Sequence, residues 1–223
     1  MAKPSSRRPV RQQAATPPPA TRLLLIRHGE IEARYQRTFG GRIDMSLSPQ
    51  GRAQARALAS YLRVKSIDAI YASPMKRVQQ TLAPLLKNGA PDQQILPGLR
   101  EVDFGDWTGL SWQGVSDRFG FSPYEWLDKI ENPGAPNGEN GAGFRARVKP
   151  CLDRIIRMHP GQNVAIFCHG GVIRMILALL LKLPLPKTNQ FEIEYAGITQ
   201  VAIHAHMAEV ELLNFTPWRD LVA

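Results

Sequence analysis

A short apolar run that ends in an arginine, a histidine and a glycine constrains the fold of this chain more than any other feature. Residues 23–26 are Leu, Leu, Leu and Ile, and Arg27, His28 and Gly29 follow directly. Four consecutive aliphatic residues between polar neighbours predict a strand that is buried on both faces, as in a parallel sheet covered by helices. Open α/β sheets bind ligands beyond the carboxyl ends of their strands. The pattern therefore predicts an anion-binding site at Arg27 and His28.

A second strand-like run repeats this pattern near the other end of the chain. Residues 164–167 are Val, Ala, Ile and Phe, and they lead through a cysteine into His169 and Gly170. Each motif taken alone has two interpretations, because a histidine at a strand end is often a hydrogen-bonded structural residue rather than a nucleophile. Two such strand ends in one chain favour a shared site.

Helical patterns separate the strand-like runs. Ser48-Pro49 and Ser73-Pro74 each predict a helix start, with serine as the N-cap and proline as the first helical residue. The second of these helices follows the apolar run 69–72 and carries Arg77 in its first turn. Alternating strands and helices predict an α/β fold with a mostly parallel sheet. Alternating apolar residues predict further short strands, some of them antiparallel, at 191–195, 199–203 and 210–212.

The N-terminal segment differs in composition from the rest of the chain. Residues 1–21 are rich in Pro, Ala, Gln and Arg, which predicts a disordered basic tail, with a targeting peptide or an electrostatic tether as alternatives. The net charge of the 223-residue chain is +9, and the first 22 residues contribute five of these positive charges. We therefore expect one domain at 22–223 and a small phosphorylated substrate rather than nucleic acid.

The cysteines and the apolar runs exclude several classes of protein. Cys151 and Cys168 form neither a disulfide framework nor a zinc spacing. The apolar run 175–181 is far shorter than the roughly 20 residues that span a bilayer. No apolar segment of the secretory type follows the basic N-terminus. We expect a cytoplasmic protein that has no membrane partner, while monomer and homodimer both stay open.

Four segments, in the order in which they occur, together resemble the histidine phosphatase superfamily, which includes cofactor-dependent phosphoglycerate mutase. Each segment is degenerate alone, but the ordered set spans most of residues 22–215. The stretch Asp103–Gly109 is similar to the phosphatase branch, including the α-ribazole phosphatases. The matching segments are Arg27–Glu30, Ser73–Thr81, Leu99–Gly109 and Cys168–Gly171.

The resemblance implies a three-layer α/β/α sandwich around a mostly parallel sheet. It also implies a small helical insertion over the active site, roughly at residues 105–140. This segment carries several aromatic residues, and we expect most of them to pack the insertion against the sheet.

The resemblance also implies a chemistry that needs no metal ion and no cofactor. His28 would attack phosphorus and form a phosphohistidine, and Glu101 would act as the general acid. Planar guanidinium groups and a helix N-terminus are suited to binding phosphoryl oxygens. The residues implied for this role are Arg27, Arg77, His169 and Gly170.

The loop at residues 31–47 departs from the family pattern, because Arg34 stands where an asparagine is common. Arg34, together with Arg37 and Arg42, is a candidate for binding a second anionic group of the substrate. The alternative is that these arginines are solvated loop charges, and the sequence leaves both open.

The function expected from these features is that of a metal-independent phosphomonoesterase acting on a small phosphorylated metabolite. Two alternatives stay open, a mutase of the phosphoglycerate mutase type and a non-catalytic module that binds phosphorylated ligands. A nucleic-acid binder is disfavoured, because most of the positive charge lies in the tail and no nucleic-acid motif is recognised.

Overall fold

Six strands form one sheet, with helices on both of its faces, in a computed structural model that describes residues 19–87 and 89–221. The strands are β1 (Thr21–Arg27), β2 (Ala69–Ala72), β3 (Gln93–Ile95), β4 (Asn163–Cys168), β5 (Ile198–Ile203) and β6 (Ala208–Phe215). The helices are α1 (Pro49–Leu62), α2 (Lys76–Leu86), α3 (Trp112–Phe119), α4 (Trp126–Glu131), α5 (Gly141–Met158), α6 (Gly170–Leu181) and α7 (Pro217–Asp220).

The strand order places three carboxyl ends side by side. The order is β3-β2-β4-β1-β5-β6, and the β1–β4, β2–β4 and β2–β3 pairs are parallel. Strand β5 runs antiparallel to both β1 and β6 at one edge. The register pairs Arg27 with Cys168 and Ala72 with Phe167. The predicted mostly parallel sheet is confirmed, and β1, β2 and β4 all end at one site.

The apolar run of β1 is continuous because helices cover both faces of the sheet. Leu23 and Leu25 belong to the core cluster that contains residues of α5 and α6. Leu24 and Ile26 point the other way, into the cluster that contains residues of α1 and α2. Successive side chains of a strand alternate between faces, so a strand buried on both faces shows no polar alternation. The predicted α/β sandwich is confirmed.

Helices α3 and α4 form the helical insertion between β3 and α5. Val115, Leu127 and Ile130 have no exposed surface and belong to the same cluster as Phe144 of α5. This burial fixes the insertion to the α5–α6 side of the sheet, beside the carboxyl ends of the strands.

Two local predictions were wrong. Residues 191–195 form no strand, because the Ile193 carbonyl accepts a hydrogen bond from Arg27 and the Tyr195 carbonyl accepts one from Trp218, rather than from a neighbouring strand. Helix α2 begins at Lys76, after the predicted start at Ser73.

The predicted domain boundary at residue 22 stays a prediction. Strand β1 begins at Thr21, one residue before the predicted start of the domain. The predicted tail falls mainly on residues 1–18, which lie outside the described residues. Within the described part of the chain, no helix combines the length and the apolar character that crossing a membrane requires.

Candidate active site

The imidazole of His28 lies at the end of β1 and is held as a neutral ring. It is 5% exposed, and its Nδ1 lies 2.8 Å from the Gly29 carbonyl. Its Nε2 lies 3.2 Å from Nε of Arg77. A carbonyl can only accept and an arginine can only donate, so Nδ1 carries the proton and Nε2 carries the lone pair. Burial first, and then the charges of Arg77 and Arg27, lower the pKa of His28 well below 6.5.

Two arginines from different elements flank this ring. Arg77, in the first turn of α2, is 3% exposed and donates to the carbonyls of Ile43 and Gly41 at 2.8 Å each. Burial lowers the pKa of Arg77 to about 10, so it stays charged at neutral pH. Arg27 donates to the Ile193 carbonyl at 2.6 Å, while its buried Nε has no hydrogen-bond partner. Both guanidinium groups are thus fixed by backbone carbonyls.

The second histidine completes the cluster from the end of β4. The rings of His169 and His28 are 5.3 Å apart between centroids and meet edge to face. His169 is fully buried, its Nε2 lies 2.8 Å from Ser73 Oγ, and its Nδ1 has no hydrogen-bond partner among the described residues. An unpartnered buried nitrogen is rare in proteins, and functional sites are one place where it occurs.

The carboxylate of Glu101 lies against the start of α6. Its Oε2 accepts a hydrogen bond from the Gly171 amide at 3.2 Å. A Cβ at Gly171 would approach Glu101 Oε1 to 2.5 Å, so only glycine permits this contact. Gly170, the first residue of α6, lies beside Arg27. The positive end of the α6 dipole therefore faces the same point as the arginines.

A mostly buried ion pair holds the segment that carries Glu101. Arg147 of α5 donates to both oxygens of Glu139, at 2.6 and 2.8 Å. It also donates to three carbonyls, those of Gly98, Arg100 and Glu101, at 2.8, 2.6 and 3.1 Å. Glu139 in turn accepts the Asp103 amide at 2.9 Å. Burial would raise the pKa of Glu139, but the bonds from Arg147 and Asp103 hold it below its usual value.

A cavity of about 630 Å³ opens beside Arg27 and Glu101. Gly170, Gly171 and Arg174 of α6 form part of its wall. Much of the remaining wall is aromatic, contributed by the loop after β1, the insertion and the segment before β5. These residues are Phe39, Phe104, Trp112, Tyr124, Trp126 and Phe191.

Arg34, predicted to bind substrate, lies apart from this cavity. Its side chain is 70% exposed and forms an ion pair with Glu32 at 3.4 Å. Arg42 pairs with Asp103 and Glu139, at 3.1 and 3.3 Å. A role for Arg34 in substrate binding stays a prediction.

Sequence reasoning missed three contributors to this site. Ser73 was read as an N-cap, yet it contacts His169. Tyr195 was read as part of a strand, yet its ring stacks on the Arg27 guanidinium at 3.9 Å. Arg147 had no distinguishing motif. At the site these three residues contact His169, Arg27 and Glu101, which lie 46 or more residues away in the sequence, and no local pattern marks such partners.

Comparisons with known proteins agree with this geometry. A family model described as the histidine phosphatase superfamily (branch 1) matches residues 23–216. The adenosylcobalamin/alpha-ribazole phosphatase of Salmonella typhimurium is 30% identical over 193 residues, covering 86% of this chain and 96% of that protein. Phosphoserine phosphatase 1 of Hydrogenobacter thermophilus is 27% identical, covering 87% and 92%.

The solved structures give the same result at the level of the fold. Mycobacterial glucosyl-3-phosphoglycerate phosphatase superposes with a TM-score of 0.78 at 25% identity, over 87% of this chain and 99% of that protein. The family model covers the strand-end motifs of β1, β2 and β4 in one match. The chain therefore belongs to branch 1 of the histidine phosphatase superfamily and is a phosphatase.

Proposed function

We propose that this phosphatase hydrolyses small phosphomonoesters through a phosphohistidine at Nε2 of His28, without a metal ion. The protonation state of His28 carries the proposal. Arg77 can only donate to Nε2, and Gly29 can only accept from Nδ1, so the lone pair lies on the nitrogen that faces the arginines. A buried neutral imidazole beside fixed cations is suited to attack on phosphorus.

The reaction is a double displacement. Nε2 of His28 attacks phosphorus, the ester P–O bond breaks, and Glu101 gives its proton to the leaving oxygen. Water then attacks phosphorus, the P–N bond breaks, and Glu101 takes the proton from water. Arg27, Arg77 and His169 hold the phosphoryl oxygens through both steps.

Arg77 has to change partners at the first step. Its Nε donates to the same lone pair that attacks phosphorus. Two carbonyls hold its other nitrogens, and in this mechanism the Nε–H bond passes from His28 to a phosphoryl oxygen. Arg77 thereby protects the nucleophile from protonation before substrate binds and neutralises charge afterwards.

The cavity supports a leaving group that contains a flat or apolar part. Phe104 and Trp126 meet edge to face at 5.4 Å, next to Glu101 on the same wall. Aromatic contacts of this kind add about 0.5–1.5 kcal/mol beyond the buried area. An α-ribazole phosphate, on which the Salmonella relative acts by its name, is one candidate within this class.

A small phosphorylated metabolite is the only partner in this proposal. We also propose a cytoplasmic location, because Cys151 and Cys168 are both unpaired and free thiols are typical of reducing compartments.

Hydrolysis of phenyl phosphate in excess chelator tests the proposal, with wild type beside His28→Ala. We expect turnover that resists chelator and disappears in the variant, and an acid-labile phosphate on wild type that the variant lacks. The label persisting on His28→Ala would contradict the nucleophile. The absence of wild-type turnover of phenyl phosphate would contradict the proposed hydrolysis of small phosphomonoesters.

A further inference from the structure

We propose that the cavity wall contains a second anion site, formed by Arg174, that binds a carboxylate on the leaving group of the substrate. The inference rests on the proposed hydrolysis of phosphomonoesters and deepens it, because it names the class of leaving group. It assigns to Arg174 a specificity-determining role that is separate from the binding of the phosphoryl group.

Arg174 lies on the face of α6 that forms the cavity wall. It follows Gly170 by four residues and Gly171 by three, and residues at these spacings share one helix face. All three residues line the cavity. The backbone of Arg174 therefore lies one helical turn beyond Gly170, and its side chain lines the cavity beside the proposed phosphoryl site.

The guanidinium of Arg174 is anchored but lacks an acidic partner. One amino group, Nη1, donates to the Thr188 carbonyl. Arg174 takes part in none of the ion pairs found among residues 19–87 and 89–221. Among the described residues, the hydrogen bond of this guanidinium is made by Nη1, which leaves Nε and Nη2 for a ligand in the cavity that Arg174 lines. Nε and Nη2 lie on the same side of the planar guanidinium. Together they can donate two parallel hydrogen bonds to one carboxylate.

The surroundings make an unpaired cation costly at this position. Burial lowers the pKa of Arg174 to about 10, the nearby charge of Arg27 lowers it further, and Glu101 opposes the shift. By contrast, Arg147, whose side chain is 18% exposed, is paired with Glu139. Arg27 and Arg77 are the arginines proposed to bind the phosphoryl group, and among the described residues they form no ion pair either. A bound anion would supply the countercharge that the fold gives to Arg147 and not to Arg174.

Charge favours a carboxylate over a second phosphoryl group. Arg174 offers one positive charge, which one carboxylate balances. Glu192 and Glu194 lie on the same wall, and they would repel a dianion more strongly than a monoanion. Because Phe104 and Trp126 face the same space, the leaving group we infer combines a ring with a carboxylate.

The test compares esters that differ only in charge. The substrates are 4-carboxyphenyl phosphate and its neutral isostere 4-carbamoylphenyl phosphate, together with the corresponding 3-substituted pair. The selectivity is kcat/KM for the carboxylate ester divided by kcat/KM for the neutral ester of the same pair. We expect wild type to prefer the carboxylate in at least one pair, and Arg174→Met to lower that ratio by about tenfold to a hundredfold, the usual value of a charge-assisted hydrogen bond.

Two further variants separate recognition from structure. Arg174→Lys keeps the positive charge but lacks the planar guanidinium that donates two parallel hydrogen bonds. It should retain part of the preference for the carboxylate ester. Arg52→Met is the matched control, since Arg52 also donates to a backbone carbonyl, that of Leu47 at 2.8 Å, and lies outside this cavity. This control should leave the ratio unchanged.

The outcomes distinguish this inference from the proposed function. If wild type hydrolyses the neutral esters and shows no preference for a carboxylate in either pair, the second anion site is wrong and the phosphatase mechanism stands. If Arg174→Met slows both members of each pair equally, Arg174 acts only through Thr188 and the inference is wrong. If wild type hydrolyses none of the esters, the proposed function fails, and this inference fails with it.

Discussion

Replacing Arg147 by methionine removes the guanidinium that holds the Glu101 segment against α5. The side chains of Arg147 and Glu139 are only 18% and 14% exposed, so solvent screens their ion pair weakly. Removing one partner of a buried pair costs about 3–5 kcal/mol. Arg42 stays beside Glu139 in the variant, so we expect the lower end, about 3 kcal/mol. For a chain of this size, that corresponds to a fall in Tm of about 6–12 °C.

The same change should also show in the chemistry, because Arg147 donates to the carbonyl of Glu101 itself. If Glu101 is the general acid, as proposed, its displacement matters most for a leaving group that needs a proton. We expect Arg147→Met to lower kcat/KM for phenyl phosphate by about 10–100-fold, and to lower it much less for 4-nitrophenyl phosphate, whose phenolate leaves without protonation. Glu101→Gln should give the same pattern with a larger loss, about 100-fold or more.

Arg145→Met is the matched control for both measurements. Arg145 lies on the same helix and pairs with Glu131, but these side chains are 37% and 34% exposed, and exposed pairs contribute less than about 1 kcal/mol. Thermal unfolding and the two esters are measured for both variants. Equal destabilisation by the two changes, or an equal loss on both esters in Arg147→Met, would refute the positioning role.

Three further predictions concern the same site. The pKa of His28 is lowered by burial and then by Arg77, so the unfolded chain binds the extra proton. The contribution of His28 to stability should be complete above about pH 6.5 and fall below it by about 1.4 kcal/mol per pH unit, and His169, whose pKa burial lowers in the same direction, adds to the loss in wild type. Urea unfolding at pH 7.5 and 5.5 should show a smaller loss for His28→Asn, and equal losses would contradict this. Ser73→Ala leaves Nε2 of His169 without its partner, so kcat/KM for phenyl phosphate should fall about tenfold; an unchanged value would argue against the contact. Gly171→Ala should displace Glu101 and lower turnover of phenyl phosphate more than that of 4-nitrophenyl phosphate, and a Michaelis–Menten comparison with wild type checks this.

Interactions that are local in the chain could be predicted well. The buried run of β1 and the runs of β2 and β4 predicted three strands, and the serine–proline pair at Ser48 predicted the start of α1, where Ser48 Oγ caps the Gly51 amide at 2.9 Å. Ser73-Pro74 is the same dipeptide as Ser48-Pro49, but the prediction that a helix begins there was wrong, because α2 begins at Lys76. The Ser73 hydroxyl lies beside His169, 96 residues away. The Ser48 hydroxyl also has a side-chain partner, Glu30 at 2.6 Å, but it still accepts the Gly51 amide and caps its helix.

The sequence by itself determined which residues occupy the strand ends. A side chain that follows a buried parallel strand has to emerge at the carboxyl edge of the sheet, so Arg27, His28 and His169 could be predicted as neighbours from order and hydrophobicity alone. Only the tertiary structure decided how these groups are used. The lone pair of His28 faces Arg77, 49 residues away, and Arg42 contacts Glu139, 97 residues away. The ion pairs of the described residues leave Arg174 out, and no local pattern predicts that. Electrostatic energy depends on distance and burial in three dimensions, and neither quantity is encoded in local sequence.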